Sequence, residues 1–329
     1  MRLKLTFSFL ILLALLSACA ANASVTPAAT ETPAAAIETQ AGTPVETESA
    51  ATAAVEITAP VEPQATATID PLDWRNLPVI PELSPAMLEV YQRGLASGRD
   101  PYRFSKIGDC QNVHGYFLGM FDGGTYSLGE EYAYLQDTIN YFAGSWGRKS
   151  MAVKGALNIA AVQSPMWTAA VEQYTKQYDI CKTGESPLVC ELRDWNPSFA
   201  LISMEESWDG SLSIYDENMR SVVEYVLSLD IVPILATRTE LPDAERQINI
   251  MVMQIATDYD LPVWNFGAAA AKLPNAGLRE GDSFHLSPSE ETKYPHADFV
   301  DPVTLQFGWT WRNLTALQTL DAVRKSVLK

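Results

Sequence analysis

The chain has 329 residues, with 40 acidic against 23 basic side chains and a formal net charge of -17. That balance excludes recognition of nucleic acid or anionic lipid through a broad basic face, and a neutral or cationic partner fits it better. Its composition is uneven along the chain, so the length divides into an N-terminal part without a core and one segment large enough to bury one.

Arg2 and Lys4 precede an apolar run from Leu5 to Leu16, too short to remain as a membrane span and of the kind that directs export. The run ends in Leu16-Ser17-Ala18-Cys19, which resembles the lipobox of bacterial lipoproteins. That resemblance implies cleavage after residue 18 and a lipidated Cys19 as membrane anchor, in the cell envelope outside the cytoplasm. An ordinary signal peptide, cleaved after Ala21-Asn22-Ala23, is the alternative. From Ala20 to Ile69 the chain is mostly Ala, Thr, Pro and Glu, without Lys, Arg or aromatic residues. It cannot bury enough apolar surface to offset chain entropy, which predicts a disordered stalk over residues 20–69. As a random coil such a stalk spans on the order of 40 Å.

In residues 70–329 short apolar runs alternate with longer amphipathic stretches, the pattern of βα units around a parallel sheet. Arg103 to Ile107 is the first predicted strand. It leads into Gly108-Asp109-Cys110, and Val113 to Met120 reads as the helix that follows. Cys110 then sits at a strand-to-helix turn, where backbone N–H groups and a helix dipole favour a thiolate. His114 lies four residues on and shares a helical face with Cys110, although a solvated or hydrogen-bonded His is the plainer reading. Gly123-Gly124 and Gly129 lack the setting of a phosphate cradle, so no nucleotide cofactor is indicated. Met151 to Lys154 is the second predicted strand. Cys181 and Cys190 flank a turn-rich loop and are the natural disulfide of an exported chain, which leaves Cys110 outside it.

Phe199 to Met204 is the third predicted strand, followed by Glu205-Glu206-Ser207-Trp208-Asp209. Leu212 to Leu229 carries Leu212, Tyr215, Met219, Val222, Val223 and Val226 at helical spacing. Ile231 to Ala236 and Pro262 to Phe266 complete five strands, with a helix over Ala244 to Tyr259 between them. After a short Ala-rich helix comes Gly281-Asp282-Ser283-Phe284-His285-Leu286-Ser287, where a single turn lets Asp282 orient His285 as a base. His296, beside Pro295, reads as an exposed residue at a cleft mouth, and Trp311 to Val327 as the closing helix. Only three His occur, and no Cys or His spacing matches a zinc pattern, so no metal is expected. The expected fold is a three-layer α/β/α sandwich on a five-stranded parallel sheet, and such sheets bind ligands outside the carboxyl ends of their strands.

The order of these blocks resembles the SGNH hydrolase (GDSL-type esterase) superfamily, whose flavodoxin-like sheet carries a nucleophilic Ser in a Gly-Asp-Ser block and a late Asp-x-x-His block. The resemblance implies a triad of Cys110, His285 and Asp282, with Cys in place of Ser. Ala152-Val153-Lys154-Gly155-Ala156 is similar to the second block, which implies oxyanion donors at the backbone N–H groups of Cys110 and Gly155. The third block falls on Met204 to Asp209 and holds no Asn, leaving the Ser207 hydroxyl as the substitute donor. Loss of one such donor typically costs about 10²- to 10³-fold in turnover.

Three readings of Cys110 stand side by side: nucleophile of an esterase acting on acylated carbohydrate, relic in a carbohydrate-binding or partner-binding module, and small structural residue. Trp146, Trp167, Trp208, Trp309 and Trp311 offer aromatic faces for stacking on sugars, with Trp208 beside the oxyanion block; core packing is the plainer role for each.

Overall fold

Apolar runs that alternate with amphipathic ones do build a parallel sheet flanked by helices, in a computed structural model that describes residues 70–204, 210–241 and 248–329. Cys19, the expected signal and stalk, the segment from Glu205 to Asp209 with Ser207 and Trp208, and residues 244–247 of the helix expected over Ala244 to Tyr259 lie outside the described residues. In chain order the elements are α1 (Pro85–Ala96), β1 (Asp100–Gly108), α2 (Met120–Gly123), α3 (Gln136–Tyr141), α4 (Thr168–Thr175), α5 (Pro187–Trp195) and β2 (Pro197–Ser203). They continue with α6 (Leu212–Ser228), β3 (Val232–Ala236), α7 (Ile248–Tyr259), β4 (Val263–Trp264), α8 (Phe266–Ala270) and α9 (Gly308–Val327).

The strands are all parallel in the order β1-β2-β3-β4. Every residue of β2 and β3 is buried, as expected when helices cover both faces. Side-chain alternation assigns those faces. Phe199 and Ser203 of β2 meet Tyr91 of α1 and Arg312 of α9. Ser105 of β1, in register with Ala200 and so on the opposite face, hydrogen-bonds Glu191 of α5 at 2.7 Å. Helix starts follow local chemistry: Ser84, Ser186 and Ser211 cap α1, α5 and α6, and Pro85 and Pro187 occupy the first turn where no N–H is needed.

Two expectations are corrected. Among the described residues the sheet has four strands where five were expected: Met151 to Lys154 contributes a single parallel bridge, Gly108 to Val153, on the outer side of β1. Side chains take over the pairing there: the Met151 N–H donates to Glu191, the Ala152 N–H donates to Ser150 Oγ, and Ser150 in turn donates to the Lys106 carbonyl. The second correction concerns Val113 to Met120, which is a string of turns rather than a helix; α2 begins only at Met120. Cys181 and Cys190 form a disulfide, and Cys190 lies within α5 rather than at the end of a loop.

Candidate active site

β1 carries Cys110 to the carboxyl end of the sheet, where a single 3-10 turn, Cys110–Asn112, replaces the expected helix. With one turn there is no summed helix dipole, so the turn is organised by side chains instead. Asp109 caps it by accepting from the Gln111 N–H at 2.7 Å. Asn112 folds back beneath the strand and donates to the Ser203 carbonyl at the end of β2, at 2.8 Å. Gly108 permits this, since a Cβ there would stand 2.0 Å from Asn112 Nδ2. Cys110 is half-buried and outside the disulfide.

Gly155 lies against this turn: a Cβ at 155 would be 3.8 Å from the Cys110 Cβ. Its neighbour Ala156 has φ +62, an uncommon conformation for a residue with a Cβ and one that surroundings must hold in place. Lys154 Nζ donates to the Gly155 carbonyl at 2.9 Å and stands 5.8 Å over the Trp167 ring. Tyr174 of α4 faces the same place, and burial first, then the negative charge of a Cys110 thiolate, pushes its phenol up.

On the other side stands the loop after α8. Asp282 Oδ1 accepts from the Phe284 and His285 N–H groups at 2.8 and 2.9 Å, and Oδ2 lies 2.8 Å from His285 Nδ1. The His285 and Phe284 N–H groups, followed by the imidazole, hold the Asp282 carboxyl at about 2. An ionised carboxylate can only accept, so Nδ1 carries the proton and Nε2 is left as the basic nitrogen. Gln111 Nε2 donates to the Phe284 carbonyl at 2.8 Å, which ties the residue after Cys110 to the residue before His285. A groove of about 600 Å³, lined by Leu278, Glu280, Gly281, Ser287, Val303 and Phe307 among others, borders this loop.

The structure therefore brings Cys110 beside Gly155, pairs Asp282 with His285, and links the two groups through Gln111. His114 lines a small cavity with Asn112, Val153 and Tyr174, its imidazole lowered by desolvation and then by Lys106 and Lys149. His296 is not the exposed residue expected: it is buried, with Nδ1 accepting from the Ser289 N–H and its carbonyl accepting from Asn313. Trp146 and Trp309 are core residues. Among the described residues no group of three or more His, Cys, Asp or Glu side chains is arranged to hold a metal ion.

Gln111, Asn112 and Arg312 belong to the site and escaped the sequence reading. Arg312 of α9 is fully buried, donating to Ser203 Oγ at 3.0 Å and Asn112 Oδ1 at 3.4 Å. Its guanidinium lies 4.7 Å from the Phe117 and Trp264 ring centroids and 5.0 Å from that of Phe266. It shares helical spacing with the apolar Trp309, Ala316, Leu320 and Val323 in a helix buried on most of its sides, so a charge at that position was the available signal. The chain matches no protein-family model and no curated protein.

Proposed function

We propose that the chain is a surface-tethered SGNH-like hydrolase, an esterase or deacylase of acylated glycans, working through Cys110, His285 and Asp282. The observation that carries the reading is the Asp282–His285 pair at 2.8 Å in a loop joined by hydrogen bond to the residue after Cys110. The sheet adds support. With the Met151 to Lys154 bridge on the outer side of β1, the segments run second, first, third, fourth, fifth. Chain direction across the sheet then reverses beside β1, and ligands of such sheets bind at that reversal, where Cys110 stands.

In this reading His285 Nε2 takes the thiol proton as Cys110 Sγ attacks the ester carbonyl, forming the C–S bond. The tetrahedral oxyanion is met by the backbone N–H groups of Cys110 and Gly155, with the Ser207 hydroxyl as a third donor. Collapse breaks the C–O bond, and His285 returns its proton to the leaving alkoxide. Water, deprotonated by the same nitrogen, then cleaves the thioester to the acid and the free thiol. No cofactor enters these steps. A lipidated Cys19 and the stalk over residues 20–69 hold the domain at the membrane and give it reach over envelope or extracellular carbohydrate.

A non-catalytic carbohydrate-binding module is the second reading, favoured by the single 3-10 turn at Cys110, which gathers fewer N–H donors than a helix start. Hydrolysis of p-nitrophenyl acetate and acetate release from O-acetylated polysaccharide decide between them. Turnover is expected in the wild type and in Cys110→Ser, and is expected to vanish in His285→Ala. No turnover by either nucleophile, with polysaccharide binding intact, leaves the binding module.

A further inference from the structure

A guanidinium with no exposed surface is costly unless opposite charge and hydrogen bonds offset its lost hydration. Among the described residues, the hydrogen-bond acceptors of Arg312 are neutral: the Ser203 hydroxyl and the Asn112 amide oxygen. Three aromatic rings enclose the rest of the group. Among the described residues, the anionic groups that attract it are Asp109 and Cys110, side by side on the turn above, while Arg238 beyond β3 opposes it. Attraction between two groups is mutual, so whatever a thiolate at 110 does for Arg312, Arg312 does for the thiolate.

The same guanidinium fixes the shape of the turn. It holds Asn112 Oδ1 while Asn112 Nδ2 holds the Ser203 carbonyl and approaches Asp109 Oδ1 at 3.4 Å. One residue of α9 thus pins the ends of β1 and β2 together beneath Cys110. Among the described residues, the charged and titratable groups that act on Cys110 are Arg312 from α9 and Tyr174 from α4, with Asp109 next to it on its own turn; the Asp282–His285 pair stands on the loop that Gln111 touches.

We propose that Arg312 is a positioning residue of this site, setting the Asp109–Asn112 turn and drawing the Cys110 sulfur into its thiolate form before any substrate arrives. The inference deepens the reading of Cys110 as nucleophile, and its test measures the thiol rather than ester turnover, so either can fail without the other. In the full chain, iodoacetamide alkylation of the Cys110 peptide is followed by mass spectrometry across pH, with the thiolate displacing iodide. Wild-type alkylation is expected to reach its midpoint below about pH 8.5, the ordinary thiol value. At about pH 6.5 the Arg312→Met rate is expected to fall about tenfold or more, with the midpoint moved up by a unit or so. Arg312→Lys keeps the charge without the planar fork and should restore the low midpoint in part.

A wild-type midpoint at or above the ordinary value overturns the proposal, and so does an Arg312→Met profile that matches the wild type. Should Arg312→Met fail to fold, the wild-type midpoint and the Arg312→Lys profile still decide. A lysine variant indistinguishable from wild type supports charge alone and overturns the positioning half.

Discussion

Asp282 shows how much of a candidate triad rests on one side chain. Its two oxygens do separate work, Oδ1 closing the loop through two backbone N–H groups and Oδ2 facing the His285 ring. Asp282→Asn keeps an acceptor for the backbone but presents an amide N–H to Nδ1, forcing the proton to the other ring nitrogen. The loop should persist while ester turnover falls about 10²- to 10⁴-fold. Unchanged turnover would remove Asp282 from the account. The carboxyl itself, held at about 2, lies below the ordinary value of about 3.9. A group lowered in this way stabilises the folded loop fully above the ordinary value and loses that effect as pH falls through about 2. Carboxyl titration by NMR should therefore give a midpoint near that lower value, and an ordinary midpoint would contradict the hydrogen bonding described.

Between elements, the contact that matters most is the one from the turn after β1 to the loop after α8. Gln111 joins residues 173 apart in sequence, 111 and 284, through one side chain. Gln111→Leu should leave the melting temperature nearly unchanged and reduce kcat about tenfold or more, since misplacement by an ångström or so carries such a cost. Equal kcat in the variant would show that the loop holds its place by its own backbone bonds. This link was not legible in the sequence, because no pattern ties a Gln to a distant carbonyl. Asp282 and His285 were legible, because their three-residue spacing is itself the geometry. Four of the five strands were also legible as apolar runs. Met151 to Lys154 also reads as an apolar run but forms only one bridge to β1, because Glu191 takes the Met151 N–H and Ser150 Oγ the Ala152 N–H. Val113 to Met120 misled for a related reason: Asn112 is committed to Ser203, and the chain turns away before a helix can start.

At the scale of the whole molecule, the described domain keeps charge inside as well as on its surface. Lys106, on β1 and fully buried, donates to the Trp146 carbonyl at 2.6 Å. Desolvation brings its ammonium down to about 7, against the attraction of Glu191 and Asp122. An unfolded lysine titrates near about 10.4. Between these values the unfolded chain holds the extra proton, so stability rises with pH from about 7 to about 10, and the full cost is present below that window. The melting temperature of the wild type should climb more steeply over this window than that of Lys106→Met; parallel slopes would show that the lysine is not desolvated as described. The claim that unites the molecule is that its two halves of a triad, at opposite ends of the domain sequence, act on one ester. Acyl-enzyme trapping tests it most directly: the full chain is quenched early in its reaction with p-nitrophenyl acetate and its peptides are mapped by mass. An acetyl group on Cys110 is expected in the wild type and none in His285→Ala. An unmodified Cys110 in the wild type, or equal labelling in the two proteins, would contradict it.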